Sequence, residues 1–423
     1  MITNQHNWAG NYTYSAVRLH RPETVEQLQE LITRCRKLRV LGSRHSFNGI
    51  ADSTEDMVSL EKLDHTVVLD RERGTVTVNG GVTYGRLCRQ LHGEGYALHN
   101  LASLPHISVA GACATATHGS GDGNGNLATA VAAMEMVTAD GDVVVLSRNQ
   151  DGEQFQGAVV GLGGLGVVTK LTLDTVPAFA MQQEVYENLP LTQLDDYFED
   201  IVSSAYSVSL FTDWQNERVN QVWLKRRVTD DAALTLAPSF FEATLAPSHR
   251  HPIASLPAEP CTAQMGILGP WYERLPHFRI DETPSSGEEL QSEYFVPRQH
   301  AVAALRAITG LQEHITPLLQ ISEVRTIAAD TLWMSPCYRQ ACVAIHFTWQ
   351  KNWPAVQKLL PLIEEQLAPF KARPHWGKLF TMPAAQLQSL YQKLPDFQDL
   401  LRTYDPQGKF RNAFLDTYIF GVP

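Results

Sequence analysis

The sequence predicts an α+β chain built from two units, and three observations carry that prediction. Through the first 175 residues, short helical patterns alternate with hairpin signals, which suggests small sheets with helices beside them. Near Pro177 the texture changes to long strand-like runs with helices between them. With 423 residues, 44% hydrophobic and 19% charged, the composition is globular and the length suits two or three domains. Such a chain buries a core without a disulfide or metal staple.

The elements follow in order. Residues 22–33 place Val25, Leu28, Leu31 and Ile32 at helical spacing, with Pro22 and early acids at the start. Val40-Leu41 reads as a short buried strand that runs into Gly42-Ser43-Arg44-His45-Ser46. Runs at 66–70 and 75–78 flank Arg71-Glu72-Arg73-Gly74 as a hairpin, and Tyr84 to His92 is helical. Runs at 131–138 and 142–146 flank Ala139-Asp140-Gly141 as a second hairpin. Leu162 to Leu173 is glycine-rich and then β-branched. Beyond Pro177, 206–214 and 219–227 read as long strands and the proline-rich 232–262 as an irregular excursion. Residues 298–308 and 353–367 read as helices, and 319–327 and 341–349 as strands.

Charge and cysteines exclude several classes. Lys+Arg 34 against Asp+Glu 45 gives −11, so the chain lacks the basic field that non-specific nucleic-acid binding uses. No basic stretch followed by an apolar one opens the chain, and no run of about 18 apolar residues occurs, so neither a secretory signal nor a membrane span is expected. The six cysteines (35, 88, 113, 261, 337 and 342) form no Cys-x-x-Cys pair. They are expected to be reduced, buried thiols in a cytoplasmic protein, with no metal site.

Three backbone-rich segments stand out in the first unit. In Val40 to Asn48 a strand enters a Gly/Ser turn, where exposed backbone N–H groups and hydroxyls can cradle a pyrophosphate. From Ser108 to Gly121 small residues fill most positions, which lets the backbone approach a large flat ligand. Gly161-Leu162-Gly163-Gly164-Leu165-Gly166 is the third. Together they point to a wrapped dinucleotide, although none is a G-x-G-x-x-G or Walker loop.

The second unit offers polar pairs on strands. Glu323 and Arg325 point the same way along Leu319 to Ile327, because side chains alternate faces. In Val343 to Trp349 the alternate residues Val343, Ile345, Phe347 and Trp349 form an apolar face, with His346 and Thr348 opposite. With Lys378 in His375-Trp376-Gly377-Lys378, these groups suit a ligand with many hydroxyls, each needing a donor or acceptor.

The run with His45, the run Ala102-Ser103-Leu104-Pro105-His106-Ile107-Ser108-Val109-Ala110-Gly111 and the run Gly164-Leu165-Gly166-Val167-Val168-Thr169 resemble the FAD domain of the vanillyl-alcohol-oxidase family. Within it the ordered set is most similar to the alditol (xylitol/sorbitol) oxidases. The resemblance spans nearly the whole chain, from Asn7-Trp8-Ala9-Gly10-Asn11 to Phe410-Arg411-Asn412-Ala413-Phe414. It implies a two-domain flavoprotein: an FAD-binding domain over 1–177 and an antiparallel-sheet substrate domain over 178–423, with about 370–423 returning near the flavin. It implies covalent attachment of FAD through His45. One departure is Arg44, where the family pattern carries glycine. It also implies cofactor contacts at Leu41, Gly42, Ser43, Arg44, Ser46, Phe47, Ser103, Ser108, Gly111, Ala112, Cys113, Ala114, Thr115, Val168 and His375. Substrate contacts fall on Ser103, Glu323, Arg325, His346, Thr348 and Lys378.

The activity so implied is oxidation of the terminal hydroxyl of an alditol, with O₂ reduced to hydrogen peroxide, by a monomer with no membrane or nucleic-acid partner. Arg325 and Lys378 are the expected electrostatic stabilisers, His346 or Lys378 the base, and Glu323 the residue that orients Arg325. Ala102 falls at about the flavin edge, where a small residue permits oxygen access. A sugar-1,4-lactone oxidase or dehydrogenase is the alternative enzyme, and a non-catalytic flavin or carbohydrate-binding protein the alternative class.

Overall fold

The computed structural model describes residues 5–228, 235–282 and 288–422. The first helix runs Val25–Arg34, begun by the Thr24 side chain accepting from Gln27 N–H and burying Leu28 and Ile32. Beside it lies a small parallel sheet of Arg18–His20, Asp56–Val58 and Leu38–Val40. Both expected hairpins form, as Val67–Asp70 with Thr75–Asn79 and Val131–Val137 with Val143–Ser147. Strand Val167–Asp174 joins them edge to edge into one five-stranded antiparallel sheet.

From Ala180 onward the chain builds a ten-stranded sheet, antiparallel at every pairing. Its centre is Ser207–Thr212, Leu319–Ile327, Cys342–Gln350 and Glu289–Pro297, in that order. Val343, Ile345, Phe347 and Trp349 are wholly buried on one face, with the Phe347 and Trp349 rings stacked at 4.9 Å. Leu305, Ile308, Leu360 and Ile363 of the helices Ala301–Thr309 and Trp353–Leu367 join them in the core. That core is continuous with the first unit: Met181, Tyr186 and Val324 share it with Val76, Met136 and Leu171.

The C-terminal segment ties the two units together. Lys409 Nζ donates to the carbonyls of Ile32 (2.5 Å) and Ala139 (2.7 Å), and the Asn412 amide donates to those of Gly49, Ile50 and Asp52. All six cysteines are buried and unpaired. Among the described residues no helix is long and apolar enough to cross a membrane.

Two long strands of this sheet had no sequence expectation, Ala180–Pro190 and Glu289–Pro297. Gln182, Gln183 and Glu184 are buried within the first, where three polar residues in a row break the apolar pattern that marks a strand. The expected helix at 298–308 starts later, at Ala301, after a 3₁₀ turn at Arg298–His300. The proline-rich excursion is irregular apart from short strands at Ser239–Phe240 and Ala243–Leu245, and its residues 232–234 lie outside the described residues.

Candidate active site

A single cavity of about 730 Å³ is lined both by the glycine-rich segments of the first unit and by one face of the long sheet. Every residue expected at the cofactor or substrate reaches this cavity except Cys113. Helix Val109–Ala114 turns Cys113 the other way, into the core, where its thiol lies 3.7 Å from the Tyr84 hydroxyl. The Cys113 side chain thus faces the core, and of this residue only the backbone is left for the expected cofactor contact.

The turn at 42–47 is held from two sides. Trp8 N–H donates to the Arg44 carbonyl at 2.8 Å, and the Asn7 and Asn11 amides donate to the carbonyls of Ser46 and Phe47. Phe47 N–H reaches the Gly377 carbonyl, and the Asn48 amide reaches the carbonyls of Trp376 and Lys378. The His45 turn and the Lys378 segment are therefore one braced unit. Arg44 sits at φ +64°, a left-handed conformation that glycine adopts freely and arginine adopts at a cost. The backbone there suits the glycine that the resemblance implies, and in this chain it is held with an arginine.

Two glycines of the cavity wall are tightly packed against Ser108. A Cβ on Gly42 would lie 2.9 Å from Ser108 Oγ, and one on Gly111 would lie 2.8 Å from the same atom. Gly42 and Gly111 therefore let the 40–48 turn and the helix that starts at Val109 approach Ser108 more closely than a side chain would allow. Arg39, fully buried, donates to the carbonyls of Leu162 (2.8 Å), Gly163 (2.7 Å) and Phe410 (2.8 Å) and so pins the third glycine segment to the wall. His45 stacks on Trp8 at 5.4 Å, and its buried Nδ1 makes no hydrogen bond among the described residues. Burial pushes its pKa down to about 4 against an opposing interaction with the Ser43 backbone, so the ring is neutral.

The sheet contributes a row of polar side chains. Register pairs Glu323 with His346 and His346 with Glu293, so the three stand side by side on the cavity face. Glu293 is the hub, wholly buried. Its carboxylate accepts from Arg325 Nη2 at 2.9 Å and from Lys378 Nζ at 2.7 Å, and lies 3.2 Å from His118 Nε2. Burial raises its pKa, but Lys378, His118 and Arg325 outweigh that and hold it well below the usual carboxylate range. Arg325 also lies 3.5 Å from Glu323 and 3.3 Å from Ser103 Oγ. Glu323 in turn accepts from His277 Nε2 at 2.7 Å.

The row has two carboxylates and two cations, so its net charge is close to zero. His346 is neutral, because burial and then Lys378 drive its pKa well below the ordinary value. Its Nε2 is buried and without a hydrogen-bond partner among the described residues. Burial also lowers the pKa of Lys378, while Glu293 works to keep it charged. The neutral imidazole nitrogen is a proton acceptor, and the two cations beside it can stabilise a developing alkoxide.

Sequence reasoning missed Glu293, His118 and His277. A signal for Glu293 existed: Gln291, Glu293 and Phe295 alternate with Leu290, Ser292, Tyr294 and Val296, the same pattern read in the neighbouring strands. His118 sits in the small-residue segment without a sequence partner. His277 follows the irregular excursion, where no periodicity places it.

Comparison with known proteins adds to this geometry. A family described as FAD binding domain matches residues 17–147, and one described as D-arabinono-1,4-lactone oxidase matches residues 286–418. An alditol oxidase of a Streptomyces species is 48% identical over the full length of both chains. An L-gulonolactone oxidase of Scyliorhinus torazame is 26% identical over 98% of each. A solved cholesterol oxidase of B. sterolicum superposes with a TM-score of 0.78 over 98% of this chain and 96% of its own, at 13% identity, a likeness of fold.

Proposed function

The chain belongs to the vanillyl-alcohol-oxidase family of FAD-dependent oxidoreductases, and from that premise we propose that it oxidises the terminal hydroxyl of alditols such as xylitol and sorbitol. The observation that carries the reading is the Glu293-centred row. It is rich in donors and acceptors, balanced in charge and set in the wall of the cavity that fits FAD. A neutral polyol needs hydrogen bonds to many hydroxyls and no net charge, and this row supplies both.

FAD held against the glycine-rich segments would supply the two-electron redox chemistry of the alcohol oxidation, with O₂ as the final acceptor and hydrogen peroxide as the second product. The residues do the rest. Arg325 and Lys378 face the hydroxyl oxygen as it loses its proton and stabilise the negative charge. His346 takes that proton, since its free Nε2 is neutral, whereas Lys378 is held as an ammonium by Glu293. Glu323, Ser103 and Thr348 receive the further hydroxyls of the polyol.

A panel of polyols with peroxide detection tests the reading. Turnover of xylitol or sorbitol is the expected result, and activity on a gulono- or galactono-lactone alone overturns it. The lactone alternative is a specific one, because the 286–418 match is to a lactone oxidase family.

His45 holds the FAD covalently. The support is a neutral, unpartnered imidazole nitrogen in the cavity wall, on a turn braced to the segment that carries Lys378. Acid-precipitated protein is expected to stay yellow and to keep flavin fluorescence on a denaturing gel, and His45→Ala to lose both. A colourless pellet from the wild-type protein would end the covalent assignment.

A further inference from the structure

One buried charge lies outside the row just described. Lys225, on strand Arg218–Val228, is wholly buried. Its Nζ donates to the carbonyls of Leu275 (2.5 Å) and Pro276 (3.0 Å) and meets His277 Nδ1 at 3.1 Å. The far side of the same ring, Nε2, meets Glu323 Oε1 at 2.7 Å. The line Lys225–His277–Glu323 thus runs from the interior of the protein to the cavity wall.

We propose that Lys225 and His277 are positioning residues: the buried ammonium fixes the imidazole as an Nε2–H donor, and that donor holds Glu323 as a charged acceptor facing the substrate. The proposal rests on the alditol reading for what Glu323 binds. Hydrogen-bond counting carries it. An ammonium has three hydrogens, and three acceptors surround this one. Nδ1 must therefore be the acceptor, and a neutral imidazole then keeps its only hydrogen on Nε2. His277 is neutral, since burial and the adjacent Lys225 bring its pKa down to about 4.

Removing the Lys225 proton reverses the logic. The neutral amine keeps two hydrogens for the two carbonyls and turns a lone pair toward Nδ1. Nothing then reserves Nδ1 as the acceptor, and the ring can also carry its hydrogen on Nδ1, where it donates to the amine. In that form Nε2 presents a lone pair to the Glu323 carboxylate, so the donor to Glu323 is no longer fixed. No bond between heavy atoms changes, and the one proton released from Lys225 goes to solvent.

The groups that face Lys225 are Glu323 and Arg325 on the strand Leu319–Ile327, Cys261 and Arg274 in the connecting segments, and His277. Burial lowers the ammonium to about 7, with Glu323 opposing and Arg325 assisting. The donor is in place below that pH and released above it.

The test is steady-state turnover of xylitol by the FAD-loaded protein between about pH 6 and pH 9, with variants at both ends of the line. In the wild-type protein KM is expected to rise about tenfold with pH while kcat changes less, the scale of one lost hydrogen bond to a charged group. Lys225→Met should hold KM at the raised value throughout. His277→Gln, whose amide is a permanent donor, should keep the low KM and abolish the pH step, while His277→Leu should raise KM. If Lys225→Met fails to load FAD, the His277→Gln and His277→Leu pair decides.

An FAD-loaded Lys225→Met with wild-type KM and wild-type pH profile overturns the proposal. So do equal losses in the two His277 variants, or a loss confined to kcat. Failure of the wild-type protein to oxidise any polyol is a separate result against the alditol reading, and the same variants are then measured on a gulono-lactone.

Discussion

Glu293→Gln is expected to cost about 3–5 kcal/mol of folding stability, the scale of breaking a buried ion pair from one side. The substitution keeps the shape and one acceptor oxygen, so it isolates the charge. That charge sits at 0% side-chain exposure between Lys378 at 2.7 Å and Arg325 at 2.9 Å. Without it two cations face each other in a buried site, where repulsion is poorly screened. Lys378, already lowered by burial, loses the group that opposes its deprotonation. The variant should therefore unfold at lower denaturant with an unchanged m-value. Any folded fraction should reduce its flavin slowly, because the Lys378 charge is lost. Wild-type stability with a wild-type reduction rate would show that Arg325 and Lys378 do not depend on Glu293.

The parts of this molecule that were legible in the sequence are those with a local signature. Arg71-Glu72-Arg73-Gly74 and Ala139-Asp140-Gly141 announced hairpins because turn chemistry is short-range. Helix Trp353–Leu367 was legible to the residue, since Asn352 caps it and its apolar spacing is regular. The polar pairs Glu323/Arg325 and His346/Thr348 were legible because alternation alone assigns them a face. Which strand would lie beside them was not. Glu293 reaches the site through the pairing of Glu289–Pro297 with Cys342–Gln350, a long-range register that no local pattern encodes. Lys225 and His277 were hidden in the same way: each gains its chemistry from burial and from a partner across the fold. Cys113 shows the converse. Much of its small-residue run lines the cavity, but a single helical turn carries the Cys113 side chain inward.

Arg325→Met and Lys378→Met are each expected to slow anaerobic flavin reduction by a polyol at least tenfold, the effect of one lost transition-state charge contact. Methionine keeps most of the apolar stem, so packing is largely retained and the lost rate reports the charge. The two variants should differ in a second readout. Lys378 is the foremost charge lowering the pKa of His346, ahead of Arg325. Removing it lets the imidazole move back toward its ordinary value. If His346 is the base, it must be neutral to act, so the acid limb of kcat/KM should shift to higher pH, and further in Lys378→Met than in Arg325→Met. The rate is then recovered in part by raising the pH. A uniform loss with no movement of the acid limb would leave the cations as electrostatic stabilisers and remove His346 as the proton acceptor. A variant reduced at the wild-type rate would remove its own residue from the mechanism.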